Sequence, residues 1–332
     1  MPPETESAVV PAAEAPPSRR SRLKPSPVAA AYLVVVGLAI VGQIQSSTFL
    51  TFNHIVVLLG LTAVLGIGSA GQTVVILSAG IDLSVGAIIS ATNVLAVQWT
   101  HGSDSLLWVI LPVLAIGAAI GLLSGVGIAL LRISPLIMTL GMASIVSGFA
   151  LVITNGQSGA EPAPALVSAM TGRLLGFPGT VWAWAVVAVV TVLLLRATRF
   201  GREVMALGSN ARAARLAGIS PTATTLGIYA FSGLMAAVAG VVLAGFTGTG
   251  AFGIGNQYTL LSVAAVVIGG ASILGGRGSY VGTIAGAVIL QALTEILTVA
   301  NVEAAGRQIV QGVAILVILI IYGRERRLRT VS

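Results

Sequence analysis

Apolar runs of roughly 17–25 residues recur along this 332-residue chain from position 28 onward, and they do not alternate apolar with polar positions. At a helical rise of 1.5 Å, that length crosses about 30 Å of hydrocarbon, which a barrel strand of alternating character would do in half as many residues. Charged residues make up 8% of the chain and hydrophobic ones 56%. Soluble domains carry about 25% charged residues, so a water-facing surface cannot be assembled from this composition. Lipid offers no hydrogen bonds, and each spanning segment must satisfy its own backbone. The expected fold class is all-α, a polytopic transmembrane helical bundle with almost no soluble part.

Ten apolar segments can be drawn, at 28–45, 54–78, 84–100, 106–130, 134–154, 177–197, 223–247, 259–275, 279–299 and 306–322. Glycines interrupt the pattern around Gly80–Gly86 and Gly275–Gly282, where the boundaries are weakest. Charge tests the count, because Lys and Arg collect in short cytoplasmic loops. With the N-terminus inside, 15 of the 17 basic residues fall inside and only Arg173 and Arg307 fall outside. That bias supports an even number of spans, about ten, with both termini cytoplasmic. Eight spans satisfy it equally if two short segments are re-entrant. The net charge of +7 is thus a signature of topology rather than of nucleic-acid binding.

Residues 1–27, rich in Pro, Ala, Glu and Ser and ending in a basic cluster, read as a disordered cytoplasmic tail. A cleaved signal peptide competes with that reading. The first apolar run, Val28–Gln45, exceeds the usual core of about 7–15 residues and lacks a small-x-small cleavage site, so it reads as a retained first helix. The membrane domain is then 28–322, followed by a basic cytoplasmic tail, 323–332. Absence of cysteine excludes disulfides and thiolate metal sites.

Two loops are long. Residues 155–176 face outside; residues 198–222 face inside and carry helix formers around Glu203–Leu207 and Ala211–Leu216, punctuated by Gly208 and Gly218. A short basic helix beneath the membrane fits this loop, either as a topological anchor or as a lever. A weak internal repeat relates Gly80-Ile81-Asp82-Leu83-Ser84-Val85-Gly86 to Gly276-Arg277-Gly278-Ser279-Tyr280-Val281-Gly282, suggesting two weakly related halves. Duplicated halves with glycine-interrupted segments often flank a translocation path.

Lys24 is the only lysine, and Pro25 follows it. A nucleotide-binding P-loop needs Gly-x-x-x-x-Gly-Lys-Ser/Thr, so any ATP and Mg used must be held by another subunit, and the chain itself is expected to need no cofactor or metal. His54 and His101 sit near helix ends and form no hydrolytic motif. A carboxylate at membrane depth costs about 2.5–3.5 kcal/mol and requires a reason. Asp82 lies where it could cap a helix starting at Leu83 or act in gating. Glu295 lies nearer the middle of its segment, as a protonatable group, a solute ligand or a packed interface residue. Gln72, Asn93 and Gln291 are candidates to line the path or to glue helices together. So few intramembrane charges weigh against ion coupling and toward an external energy source.

Four blocks together resemble the ribose-type permeases of bacterial ATP-binding-cassette (ABC) importers. They are Gly80-Ile81-Asp82-Leu83-Ser84-Val85-Gly86; Pro135-Leu136-Ile137-Met138-Thr139-Leu140-Gly141-Met142; Thr198-Arg199-Phe200-Gly201-Arg202 with Ala206-Leu207-Gly208-Ser209-Asn210 and Ala213-Ala214-Arg215-Leu216-Ala217-Gly218-Ile219; and Ala264–Ser272 with Gly275-Gly276-Arg277-Gly278 and Gly282-Thr283. The resemblance spans about residues 30–322. It implies an inner-membrane subunit forming a path for a monosaccharide or similar small polar solute with a second permease chain. An extracytoplasmic solute-binding protein would deliver the solute, and a cytoplasmic ABC ATPase would grip the 198–222 loop. Gly201, Arg202, Gly208, Asn210, Ala213, Ala214, Leu216 and Gly218 would then form the coupling loop. Gly80, Asp82, Ser84, Gly86, Gly275, Gly276, Gly278 and Gly282 would form the gating breaks. Thr259-Leu260 and Thr294-Glu295-Ile296 depart from the family's usual Glu-Leu and Asn-Gly-Leu. Alternatives are a permease of the same superfamily for branched-chain amino acids or nucleosides, an ion-coupled secondary transporter, and a membrane scaffold.

Overall fold

The computed structural model describes residues 26–100, 106–155, 161–313 and 316. The expected N-terminal tail up to residue 25, the C-terminal basic tail, His101 and the latter part of the tenth apolar segment lie outside the described residues. The helices are α1 (Pro27–Gln45), α2 (Phe52–Leu77), α3 (Val85–Thr100), α4 (Leu106–Ala129), α5 (Pro135–Thr154), α6 (Pro164–Thr171) and α7 (Gly179–Ala197). After them come α8 (Arg199–Ser209), α9 (Ala211–Leu216), α10 (Pro221–Thr247), α11 (Asn256–Ile268) and α12 (Tyr280–Val299). A two-residue hairpin, β1 (Arg173–Leu174) with β2 (Phe177–Pro178), precedes α7. Residues 304–313 are again helical.

Serine–proline pairs start three of these helices: Ser26-Pro27, Ser134-Pro135 and Ser220-Pro221. Proline loses nothing at a position whose N–H has no intrahelical partner, and Ser26 and Ser220 accept the N–H groups of Ala29 and Ala223. Left-handed residues stop two of the same helices, Asn155 after α5 and Gly248 after α10.

Seven helices among the described residues are long and apolar enough to cross a membrane: α1, α2, α4, α5, α7, α10 and α12. The chain is therefore an all-α polytopic membrane protein. α2 and α10 form the interior, their inner halves almost wholly buried. α1, α4, α5 and α7 turn Leu, Val, Ile and Phe outward, the face that lipid requires. Hydrophobic driving force is absent between helices in lipid, so close packing must hold them together. Gly117 and Gly121 of α4 lie directly on the backbone of Tyr229–Gly233 in α10, with no room for a β-carbon at either.

The two glycine-interrupted segments differ from their expected form. The 259–275 span is a 13-residue helix, α11, that ends at Ile268, and α3 has only 16 residues. At 1.5 Å per residue these reach about 20 and 24 Å, short of a full crossing. The internal resemblance also pairs differently. α2 (26 residues) is followed by a non-helical link, 78–84, and short α3; α10 (27 residues) is followed by a link, 248–255, and short α11. By contrast, Gly269 lies against Gly282, so 269–279 is a simple reversal between α11 and α12. Similar glycine-rich composition in the two loops arises from two different backbone tasks.

Candidate functional site

The link 78–84 carries the chain back from the end of α2. Gly68 faces Val85 and Ile89 (3.8 and 3.5 Å from an ideal β-carbon), nine residues before Leu77. α3 therefore begins about 13 Å back along α2. The link 248–255 performs the opposite return. Gly250 lies beside Val97, Asn93 Oδ1 accepts the Ala251 N–H (3.0 Å), and Ser90 Oγ accepts the Gly255 N–H (2.9 Å). Asn256 and Thr259 of α11 then press on Gly86, where no side chain would fit. The two short helices thus start side by side, level with the middle of α10, and run toward opposite ends of the bundle.

Asp82 fixes the first link. Its side chain is fully buried, and Oδ1 accepts from the Ser84 N–H (2.9 Å) and the Ser84 hydroxyl (2.6 Å). Ser232 Oγ of α10 donates to Oδ2 (2.7 Å). The helix starts at Val85 rather than Leu83, so Asp82 stands outside it, closing a turn onto Ser84 while tying the link to α10. No cationic side chain pairs with it among the described residues. Thr139 of α5 holds the same link, accepting the Leu83 N–H (3.1 Å) and donating to Pro135 O (2.8 Å). Ser232 and Thr139 escape sequence reading because hydroxyls in apolar helices carry no pattern and their partners lie far away in the chain.

At the other end of the link, three glycines meet. Gly276 N–H donates to the Leu77 carbonyl (2.8 Å), and Gly208 at the end of α8 rests on that same hydrogen bond, too close for any β-carbon. Gly275 (φ 81°) lies against Ala79 and Gly208, and Gly276 (φ 72°) against Ser209. Gly278 (φ 148°) packs on Ala271. The 198–222 loop is therefore seated on the point where α2 ends and the α11–α12 reversal turns.

α8 is held there by its ends. Thr198 Oγ1 accepts the Gly201 N–H (3.2 Å), and Gly201 lies on the carbonyls of Leu194 and Leu195. Glu203, absent from the sequence-derived candidates, pairs with Arg199 (2.8 Å) and accepts from Thr224 of α10 (3.2 Å). Asn210 caps α9 by accepting the N–H groups of Arg212 and Ala213 (both 3.0 Å). Ala214 is buried, while Arg202, Arg212, Ala213, Arg215 and Leu216 are exposed, Leu216 at 86%. Gly218 (φ 81°) ends the element in open space.

The four path candidates are not brought together. Asn93 spends its side chain on the 248–255 link, donating weakly to Thr249 O (3.5 Å) besides its bond to Ala251, which is the adhesive role. Gln72 is fully buried inside α2 with neither amide atom paired. Gln291 is half-buried on α12. Glu295 lies in the last turns of α12 rather than mid-segment, 4.0 Å from Nε2 of His54 at the start of α2, each about 22% exposed. The α12 helix ends at Val299, as its apolar segment does, so Glu295 sits four residues from that end beside His54.

Broken helices level with the bundle centre, joined to a basic amphipathic element outside it, define a transport permease. The chain matches the model of the family described as branched-chain amino acid transport system / permease component over residues 54–319. It belongs to that family and is a transporter component rather than an enzyme. It is 35% identical over 297 residues to the ribose import permease protein of Escherichia coli K12, covering 88% of this chain and 92% of that protein. It is 38% identical over 280 residues to the fructose import permease protein of Rhizobium meliloti (81% and 77% covered). A third relative is the galactofuranose transporter permease protein of Escherichia coli K12, 35% identical over 260 residues (77% and 75%). No solved structure matches the chain.

Proposed function

We propose that this chain is the transmembrane subunit of an ABC importer and that, with a second permease chain, it forms the path for a monosaccharide. The observation that carries the mechanism is the seating of Gly208 on the Leu77–Gly276 hydrogen bond. A cytoplasmic ATPase that grips the exposed face of α9 would move α8, and α8 cannot move without displacing the ends of α2 and the α11–α12 reversal. The broken helices are the parts whose shift would open and close a path. Sugar as the solute class rests on the names of the relatives, which are ribose, fructose and galactofuranose permeases. These outweigh the amino-acid wording of the broader family.

The same reading places the chain in the cytoplasmic membrane with both termini cytoplasmic and ten membrane segments, α3, α11 and the helix from 304 completing the seven long spans. An extracytoplasmic binding protein would deliver the solute, and ATP and Mg would act in the ATPase alone. The test is reconstitution in vesicles with an ABC ATPase and an extracytoplasmic sugar-binding protein as partners. Uptake of labelled ribose, fructose or galactofuranose is expected only with ATP inside and both partners present, with leucine and adenosine failing to compete. Uptake by the isolated chain under an ion gradient would overturn the proposal.

A further inference from the structure

Gln72 is the buried polar group that the proposed mechanism leaves unused. It is 0% exposed, and both Nε2 and Oε1 lack a protein partner, as does Ser69 Oγ three residues earlier on α2. Its direction on α2 follows from its neighbours. Gly68, one turn before, faces Val85 and Ile89 of α3; Ile76, one turn after, packs with Val266 of α11 and Ala271. Gln72 therefore points into the seam between the two short helices. Side chains on a helix lean toward its N-terminus, which tilts the Gln72 side chain toward the α3 side of that seam.

The first turn of α3 is itself short of partners. The Ser84 N–H reaches Asp82 and the Ile88 N–H reaches the Ser84 carbonyl, whereas those of Val85, Gly86 and Ala87 find no acceptor among the described residues. α3 has 16 residues, so these donors also carry the positive end of a full helix dipole. The seam is tight at this level: a β-carbon at Gly68 would meet Ile89 at 3.5 Å and Val85 at 3.8 Å, ordinary van der Waals contact, so an added methyl is accepted only against the first turns of α3. Charge selects the ligand. Asp82 Oδ1, bonded to Ser84 one residue before these donors, repels an anion; the N–H groups repel a cation. A neutral group that both accepts and donates satisfies the N–H donors and the amide together.

We propose that Gln72 and the N-terminal turn of α3 form a binding site for a neutral hydroxyl at the centre of the bundle, filled by an internal water or by a hydroxyl of the transported solute. Only the second occupant rests on the permease reading. The test uses the assembled importer in lipid nanodiscs and two variants, Gly68→Ala, which adds a methyl against Val85 and Ile89 of the first turns of α3, and Gln72→Met, which keeps the shape and removes the amide. Radiolytic hydroxyl footprinting without solute is expected to modify Val85 or Ile89 in the unaltered chain and to lose that modification in Gly68→Ala. Retained uptake constants alongside this loss identify water. A several-fold rise in KM for the sugar in Gln72→Met, smaller for the analogue lacking one hydroxyl, identifies the solute. Absence of the footprint together with unchanged KM in both variants overturns the site. Because uptake by the unaltered importer is measured in parallel, that failure is distinct from failure of the permease reading itself.

Discussion

A carboxylate with no cationic partner inside a membrane bundle must be held by hydrogen bonds, and Asp82 has three. Asp82→Leu leaves the Ser84 N–H and two serine hydroxyls buried and unpaired, at about 1–3 kcal/mol each before relaxation. We expect loss of uptake and a thermal midpoint in detergent several degrees lower, with Asp82→Asn, which keeps an acceptor for Ser84, recovering most of the stability. An unchanged midpoint in Asp82→Leu would show that the link is held elsewhere. Glu295→Gln should behave oppositely. The 4.0 Å pair with His54 is partly solvated, and such pairs contribute about 0–1 kcal/mol, so uptake and midpoint are expected to stay near those of the unaltered chain. The sequence places Asp82 near a helix start, because a lone acid beside glycine and serine ahead of an apolar run has few other uses. It does not place Ser232, 150 residues away, since a hydroxyl inside an apolar helix looks the same whether it bonds its own backbone or a distant carboxylate. Glu295 was set too deep although its segment was drawn to the same end, residue 299: it stands only four residues from that end.

Glycine punctuation shows how far pattern reading goes for an element. Gly208 and Gly218 look alike in the sequence, both as breaks in a basic amphipathic loop. In the structure Gly208 is helical and touches backbone from two other elements, whereas Gly218 has φ 81° and nothing nearby. Their substitutions should separate accordingly. Gly208→Ala drives a methyl into the Leu77 carbonyl and must push α8 off its seat. ATP hydrolysis by the assembled importer is then expected to persist while uptake falls at least tenfold. Gly218→Ala pays only left-handed backbone strain of roughly 1–2 kcal/mol, so coupling should survive with a modest fall in stability. Equal loss of coupling in both variants would count against Gly208 as the contact that transmits motion. The breaks at 78–84 and 248–255 show the limit from the other side. The first announces itself through Gly80-Ile81-Asp82. The second was drawn as an ordinary outer loop, because nothing in Gly248–Gly255 says that its backbone runs back along α3 rather than across the surface.

For the whole molecule, composition and charge carry the argument further than any motif. Lipid as solvent follows from 8% charged residues, and the clustering of 15 of 17 basic side chains into alternate loops of the ten-segment reading supports the proposed orientation. Depth is what those signals lack, which is why two helices too short for a full crossing were drawn like the long spans. Absence of cysteine makes the orientation directly measurable, since any introduced thiol is the only one present. Leu175 at the tip of the β1–β2 hairpin and Leu216 at the end of α9 are 80% and 86% exposed, and α7 lies between them. In sealed right-side-out vesicles, a membrane-impermeant maleimide is expected to label Leu175→Cys at once and Leu216→Cys only after permeabilisation. Labelling in the reverse order would invert the proposed orientation and move the basic α8–α9 element away from any cytoplasmic ATPase. Labelling of both from one side would remove α7 as a crossing and, with it, the even count on which the placement of both termini depends.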